Sequence, residues 1–177
     1  MLGAEYEPIA YLGSQVVNGI NHAVLAEQIV TTGRDTKNIV VLIFNEKSDE
    51  MEATLVNIER VVEGGAALGG TAIEVQTDIP EEAIDAYHSA FDGYVGMSVR
   101  LKALLATKVT KGTNYVFFAE VEPVVLDGTP EAMLITVNSL SKDVAFANLL
   151  ASKAEVALGY SFTWLKGSFG KPLGEWP

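Results

Sequence analysis

The chain has 177 residues, of which 49% are hydrophobic and 20% are charged, so its composition is that of a packed globular protein and not of a disordered one. A formal net charge of −11 argues against nucleic acid and anionic membranes as partners, because both attract a basic surface. The absence of cysteine excludes disulfides, thiolate chemistry and cysteine-based metal sites.

The sequence contains no recognisable membrane-spanning or N-terminal targeting segment. No apolar run reaches the roughly 20 residues that a spanning helix needs. The N-terminus has neither the basic nor the apolar region of a signal peptide, so we expect none in this chain. The compartment is left open, with a secreted or cell-surface location after signal removal favoured over the cytoplasm.

The first part of the chain predicts strands and no helix. Glu7–Val17 and Ile20–Val30 are joined by Asn18-Gly19, a dipeptide typical of a two-residue hairpin whose type I′ turn holds both residues at positive φ. A third strand is predicted over Asn38–Asn45. Met51–Val62 is the last element, and its apolar spacing also suits a helix.

The middle of the chain predicts a linker, a strand and a helix. Glu63–Gly70 is glycine-rich and predicts a flexible linker. Thr71–Thr77 alternates apolar and polar residues, as a short strand does. Pro80–Tyr94 predicts a helix that begins with a proline and two glutamates. Its apolar face is predicted to consist of Ile84, Tyr87, Phe91 and Tyr94.

Four strands are predicted to follow this helix, joined by short turns: Leu101–Thr110, Asn114–Val124, Ala132–Asn138 and Asp143–Leu149. The second of them is predicted to be half-buried, because apolar and acidic residues alternate along it. Its inward face is predicted to hold Tyr115, Phe117, Ala119 and Val121. Glu120 and Glu122 are predicted to face outward.

The last segment, Lys153–Pro177, is too aromatic to be a disordered end. It holds Tyr160, Phe162, Trp164, Phe169 and Trp176. Since a large apolar side chain gains about 1.5–3 kcal/mol on burial, we expect this tail to pack on another part of the protein.

The chain contains an internal repeat of domain size. A shift of 93 positions places residues 2–50 on residues 95–143 without a gap. The identities include Gly3/Gly96, Ala10/Ala103, Leu12/Leu105, Val16/Val109, Gly19/Gly112, Asn21/Asn114, Ala26/Ala119, Glu27/Glu120, Asn45/Asn138 and Ser48/Ser141. After a deletion of two residues, Asn57-Ile58 aligns with Asn148-Leu149. Solenoid repeats are only about 20–50 residues long, so this period indicates two copies of a small domain.

Few residues could carry catalysis. His22 and His88 form no metal-type pair, and His22 takes an inward position where the second repeat has Tyr115, which favours a hydrogen-bonded core or rim histidine. Glu27 and Glu120 are predicted to lie on outward faces of matched strands, and nothing singles out an acid–base pair. Phosphate-loop, dinucleotide and nucleophile-elbow motifs are absent from the sequence. We therefore expect no enzyme activity, no metal and no cofactor.

One motif lies at the first hairpin. Residues 15–19 read Gln-Val-Val-Asn-Gly and fit Gln-x-Val-x-Gly between two predicted strands. Here the chain resembles the cystatin superfamily, whose inhibitors carry this motif at the tip of their first hairpin loop. The second repeat adds Gly69-Gly70 and the helix Pro80–Tyr94, which such domains also carry. The resemblance covers roughly residues 2–62 and 69–150.

The resemblance implies an α+β fold with two cystatin-like antiparallel sheets, the second with a helix packed across its face. It divides the chain into a first repeat over residues 1–63 that lacks its leading helix, a second over 69–152, and the tail over 153–177. It implies either a non-catalytic binding module with a protein partner or a reversible inhibitor of papain-like cysteine proteases. The inhibitory loop would consist of Gln15, Val16, Val17, Asn18 and Gly19.

Two departures favour the binding module over the inhibitor. The second repeat keeps only the turn glycine, with Lys108, Thr110 and Gly112 at the motif positions. The Pro-Trp of the second inhibitory loop is missing. The helix-less first sheet would also expose an apolar face, which is unusual on a soluble monomer. This face is predicted to hold His22, Val24, Ala26 and one side of Ile39–Phe44. We expect the aromatic tail to cover it, with a homodimer next and the second repeat as a further alternative.

Overall fold

A computed structural model describes residues 3–31, 36–48, 52–65, 69–125 and 128–150, and the backbone of three two-residue strands between 156 and 166. The chain forms two compact units. Unit 1 comprises Met1–Glu63 with Leu149–Pro177, and unit 2 comprises Gly64–Asn148. Each contains one antiparallel sheet, and α1, in unit 2, is the one helix among the described residues.

Unit 1 is built from four long strands with a short one at the edge. The long strands are β1 (Ala4–Val17), β2 (Gly19–Val30), β3 (Thr36–Glu46) and β4 (Thr54–Glu63), in that order across the sheet. Because Thr54–Glu63 forms a strand, the alternative prediction of a helix over Met51–Val62 is wrong.

Unit 2 has the order β5-β6-β7-β8-β9 across its sheet, with α1 between the first two strands in sequence. The elements are β5 (Thr71–Gln76), α1 (Glu81–Phe91), β6 (Met97–Thr110), β7 (Gly112–Pro123), β8 (Glu131–Asn138) and β9 (Val144–Asn148). The strands of this α+β arrangement fall where the sequence predicted them, except that β6 begins at Met97 and not at Leu101.

The helix buries small residues against the sheet. Its buried positions are Ala83, Ala86 and Ala90, and Tyr87 and Phe91 pack at the margin of the same cluster. Tyr94, predicted on the apolar face, lies beyond the helix and is exposed. Alanines dominate the contact because they let the helix backbone approach the sheet closely, and the sheet supplies a fully buried alanine of its own.

The central strand β7 is buried on both faces. Phe117, Ala119 and Val121 belong to the cluster beneath α1, as the alternation predicted. Val116 and Phe118 on the opposite face are buried as well, which corrects the prediction of a half-buried strand. The same holds for β2, where five consecutive residues, Ala23–Glu27, are buried.

The strand pairings show that the repeat is structural. In unit 1, β1 carries register shifts between Pro8 and Ala10 and between Tyr11 and Gly13. In unit 2, β6 carries them 93 positions later, between Leu101 and Ala103 and between Leu104 and Ala106. These bulges bend each long strand at the same two places. Both sheets therefore share one register through their first three repeated strands.

The last repeated strand corrects the alignment. Val40 pairs with Arg60, and its counterpart Met133 pairs with Asn148. Arg60, and not Asn57, is thus the counterpart of Asn148. At this position the deletion between the repeats is five residues and not two. The connection before β9 is shorter than the one before β4, and β4 also carries a bulge between its partners Ile43 and Phe44 that β9 lacks.

Three short strands follow Leu150: β10 (Val156–Ala157), β11 (Tyr160–Ser161) and β12 (Leu165–Lys166). β10 and β11 pair with each other, and β12 pairs antiparallel with β1. The prediction that the aromatic side chains of 153–177 cover the first sheet falls on side chains outside the described residues.

Candidate functional site

The motif loop lies at the end of the β1–β2 hairpin, but its residues do not share one exposure. Val16 is 62% exposed and Asn18 is exposed, whereas Gln15 is fully buried. The Gln15 carboxamide oxygen accepts a 3.5 Å hydrogen bond from the Asn21 side chain. The loop therefore presents Val16 and Asn18 to solvent and turns Gln15 into the protein.

The turn itself differs from the predicted type I′ geometry. Gly19 has a φ of 98°, but Asn18 is not among the residues with positive φ, and Val17 faces Gly19 across the hairpin. A single residue with a left-handed backbone is therefore enough to make this turn. Glycine is required there for two reasons: its φ is positive, and a Cβ on Gly19 would lie 2.5 Å from the backbone oxygen of Glu46. In unit 2, Gly112 repeats this arrangement with a φ of 93°.

A pair of asparagines fixes each hairpin to the next strand. Asn45 Nδ2 donates to Asn21 Oδ1 over 2.8 Å, and Asn138 Nδ2 donates to Asn114 Oδ1 over 2.6 Å. These are the same two positions of the repeat. The asparagines identical in sequence are thus explained by hairpin structure, with no ligand required.

Unit 1 has an apolar groove on the face of its sheet beside this hairpin. Its volume is about 590 Å³. It is lined by Pro8, Tyr11, Ile20, His22, Val24, Leu42, Phe44 and Glu46. Apolar clefts with a few polar groups at the edge are the usual form of binding sites in proteins.

His22 organises the polar edge of the groove. Tyr11 Oη lies 3.0 Å from Nδ1, and Glu46 Oε2 lies 3.2 Å from Nε2. The ring also stacks on Phe44, with 5.3 Å between centroids. Both ring nitrogens have partners, so the structure confirms the hydrogen-bonded rim histidine that the sequence indicated. The Glu46 carboxylate is 64% exposed and gives the edge a negative charge.

The groove lies where the repeat places α1 in unit 2. The positions equivalent to Tyr11, His22 and Val24 are Leu104, Tyr115 and Phe117, and those equivalent to Leu42 and Phe44 are Ile135 and Val137. All five belong to the cluster beneath α1 or pack against it. Unit 1 therefore has apolar or aromatic residues at the positions that α1 covers in unit 2, and its described residues contain no helix.

The sequence identified part of this groove. His22, Val24 and the Ile39–Phe44 face were expected on the uncovered sheet, whereas Tyr11, Ile20 and Glu46 were missed. Tyr11 follows a bulge, which shifts its side chain relative to strict alternation. The 93-residue offset could have revealed it, because it aligns Tyr11 with an apolar strand residue of the second repeat.

Farther inside the same sheet the face is shielded. Val24, Ala26 and Val40 are at most 5% exposed. The groove occupies the half of this face nearer the hairpin.

Unit 2 has a polar groove at its own hairpin, with a volume of about 710 Å³. Asn138 dominates it: its Oδ1 accepts hydrogen bonds from the backbone of Leu140 (2.9 Å) and Ser141 (2.8 Å). Ser141 Oγ in turn donates to Asp143 over 2.7 Å. These polar groups satisfy one another and shape the β8–β9 turn.

The matched carboxylates are ion-paired. Glu27 lies on the face of β2 opposite the groove, as predicted, but it is buried there, and Lys37 Nζ lies 2.6 Å from its Oε1. Glu120 pairs with Arg100, whose Nε donates to it over 2.8 Å. Each cation neutralises a carboxylate held near the middle of its sheet. Glu27 and Glu120 thus have matching structural roles in the two units.

Two tyrosines of unit 2 have a raised pKa. Burial raises the pKa of the Tyr87 phenol, and burial followed by the nearby negative charge of Glu82 raises the pKa of Tyr115. Both phenols lie at the helix–sheet contact. Among the described residues no three histidine, aspartate or glutamate side chains cluster as metal ligands, and no helix is long and apolar enough to cross a membrane.

No protein-family model, curated protein or solved structure matches this chain.

Proposed function

We propose that this protein is a non-catalytic, cystatin-like binding module and that the groove of unit 1 accepts an amphipathic helix from a protein partner. One observation carries the proposal: the groove residues occupy the positions that α1 covers in unit 2. An apolar face that takes i, i+3, i+4 anchors from a helix is a recurrent mode of peptide recognition.

The cystatin-like assignment is supported by element order. Unit 2 runs strand, helix and then four antiparallel strands, which is the arrangement that the sequence resemblance implies. Unit 1 repeats the last four strands with the same bulges and the same asparagine pair. The proposal therefore treats unit 1 as the same domain with its helix seat available to a partner.

The chemistry of the groove defines the partner. By analogy with Ala83, Ala86 and Ala90 of α1, the contacting face of the partner helix carries small residues at every third or fourth position. Tyr11, His22 and Phe44 add an aromatic wall that suits an aliphatic or aromatic anchor. The exposed Glu46 favours a lysine or arginine at the end of that helix.

The test uses the helix of the chain itself as a probe. A peptide of residues 79–94, stapled on its exposed face because short helices are marginal in water, is labelled and titrated with the full-length protein. A second peptide carries lysine at positions 81, 82 and 85, whose acidic side chains are exposed on α1. Saturable binding of either peptide is expected, with the lysine peptide tighter because of Glu46.

Two control variants distinguish binding in the groove from nonspecific binding of the peptide. Phe44→Asp places a charge in the groove and should weaken binding by about tenfold or more, as the loss of a buried apolar anchor does. Val109→Asp changes a side chain that is 71% exposed in unit 2 and should leave binding unchanged. No binding of either peptide, or equal binding by both variants, would overturn the proposal.

A second proposal, the reversible inhibitor of papain-like proteases, is favoured by one observation. Val16 and Ile20, 62% and 41% exposed, give the motif hairpin an apolar tip. Against it, Gln15 is buried, and the counterpart of Val16 in the motif-free repeat, Val109, is just as open. Titration of papain is the test: Val16→Asp should abolish inhibition, whereas absence of inhibition at micromolar concentration would end this proposal.

A further inference from the structure

The first turn of α1 lies over one definite part of the unit 2 sheet. β5 ends at Gln76, which pairs with Leu104 on β6, and α1 begins at Glu81. Burial and, after it, the negative charge of Glu82 raise the pKa of the Tyr115 phenol. The beginning of α1, with its two glutamates, is therefore placed beside Leu104 and Tyr115.

From this point α1 crosses the sheet toward β9. The ring of Tyr87, in the middle of the helix, lies 6.3 Å from the ring of Phe117 on β7, measured between centroids. The ring of Phe91, the last helical residue, lies 6.0 Å from that of Phe146 on β9. The helix therefore begins over the hairpin strands β6 and β7 and ends over the edge strand.

The two units differ in charge where the first turn of the helix is seated. The 93-residue offset places His22 at the position of Tyr115 and Glu46 at that of Ser139. Unit 2 thus seats the acidic first turn of its own helix beside positions that carry no charge at neutral pH. Unit 1 has a histidine and a carboxylate at the same two positions.

The hydrogen bonds of His22 fix its neutral tautomer. An ionised carboxylate can only accept, so Nε2 carries a proton and donates to Glu46 Oε2 over 3.2 Å. Nδ1 is then without a proton and accepts from Tyr11 Oη over 3.0 Å. When His22 takes up a second proton, Nδ1 donates to Tyr11 Oη, which can also accept. Both contacts therefore persist in either charge state.

Protonation of His22 changes the charge of the groove edge without rearranging it. Among the described side chains that line the groove, the titratable groups are Tyr11 on β1, His22 on β2 and Glu46 on β3; Lys47 follows Glu46 in the chain and is not a lining residue. With His22 neutral, Glu46 gives the edge one negative charge, and with His22 protonated the two charges cancel. Histidine ordinarily changes charge between pH 5 and 8.

We propose that His22 and Glu46 select the partner helix by the charge of its first turn, and that protonation of His22 removes the preference for a basic one. This selection rests on the proposed function, since it takes place in the groove of unit 1. With His22 neutral, Glu46 attracts a lysine and repels a glutamate in that turn. With His22 protonated, an acidic first turn, which the dipole of the helix itself favours, is no longer repelled.

The test compares two stapled peptides of residues 79–94 on the full-length protein at about pH 7.5 and about pH 5.5. One peptide keeps its acidic residues at positions 81, 82 and 85, and the other has lysine there. In both, the exposed His88 is replaced by glutamine, so that the peptides themselves carry no histidine. We expect the lysine peptide to bind several-fold more tightly at the higher pH and the two affinities to become about equal at the lower one.

Three variants of the full chain separate this selection from the general loss of negative charge at lower pH. His22→Asn should keep the several-fold preference for the lysine peptide at both pH values. Glu46→Gln changes a carboxylate that is 64% exposed and should lose the preference already at the higher pH. Glu74→Gln removes the same charge from an exposed position on β5 and should behave as the unmodified protein.

The outcomes distinguish this inference from the proposed function. Equal affinities of the two peptides at the higher pH, or a ratio that changes with pH as much in His22→Asn as in the unmodified protein, would overturn the charge selection and leave helix binding intact. Absence of binding by both peptides at both pH values would overturn the proposed function and the charge selection together.

Discussion

Unit 1 and unit 2 share their hairpins, their bulges and their asparagine pair, but only unit 2 carries a helix among the described residues. The shared parts are those that fix strand register, where a slip of one residue would reverse every side chain. The helix fixes no register. The described residues of unit 1 form an apolar groove at the positions that α1 covers in unit 2.

The largest expected difference in stability between the two units concerns the core residues beneath α1. Phe117→Ala removes a fully buried ring and should cost about 3–5 kcal/mol of unfolding free energy. The equivalent change in unit 1, Val24→Ala, should cost about 1–2 kcal/mol, because it removes only two methyl groups. Hydrogen exchange of β7 and β2, read alongside urea unfolding, separates the two units. An equal cost would mean that unit 1 is packed as tightly as the helix-covered unit.

The second-largest expected difference is in the free energy of unfolding that each asparagine pair contributes. Asn138→Ala removes the bond to Asn114 and leaves the backbone donors of Leu140 and Ser141 without this acceptor. Asn45→Ala removes the bond to Asn21. We expect about 2–3 kcal/mol for the first and about 1 kcal/mol for the second, because the first removes three hydrogen bonds and the second one, each worth about 0.5–1.5 kcal/mol. Urea unfolding of the two variants measures this, and a larger loss from Asn45→Ala would contradict the prediction.

The turn glycines should give a smaller and more even effect. Gly19→Ala and Gly112→Ala each force a side chain to positive φ, at about 1–2 kcal/mol. Gly19→Ala should be the worse, since its Cβ meets the backbone of Glu46 at 2.5 Å, while that of Gly112→Ala meets the Leu140 side chain at 2.8 Å. Thermal unfolding checks the order, with the exposed Asn18→Ala as the neutral control; a neutral Gly19→Ala would show that the turn relaxes.

The smallest expected difference between the two units is in their stability at alkaline pH. The Tyr87 and Tyr115 phenols have a raised pKa in the folded protein, so the unfolded chain releases their protons first, near pH 10.0. Their contribution to the stability of unit 2 is complete below that pH and is lost as the pH rises through the raised values. Denaturation monitored by hydrogen exchange at pH 9 and above should show β7 weakening, and Tyr87→Phe/Tyr115→Phe should weaken it less. Identical pH profiles would refute this assignment.

Much of the fold could be read from the sequence because the signals are local or periodic. The 93-residue identities, the alternation in β7 and the acidic start of α1 each depend on residues close in sequence. They located every long strand and the helix, as well as the small residue at Ala119 beneath it.

The sequence by itself determined the two-fold repeat, the strands and the helix ahead of the second copy. Only the tertiary structure decided the burial of Gln15, the second buried face of β7 and the register of β4 against β3. It alone placed Leu165–Lys166 beside Ser14, about 150 residues away in sequence. These features depend on which distant segments meet, and local propensity carries no information about such pairings.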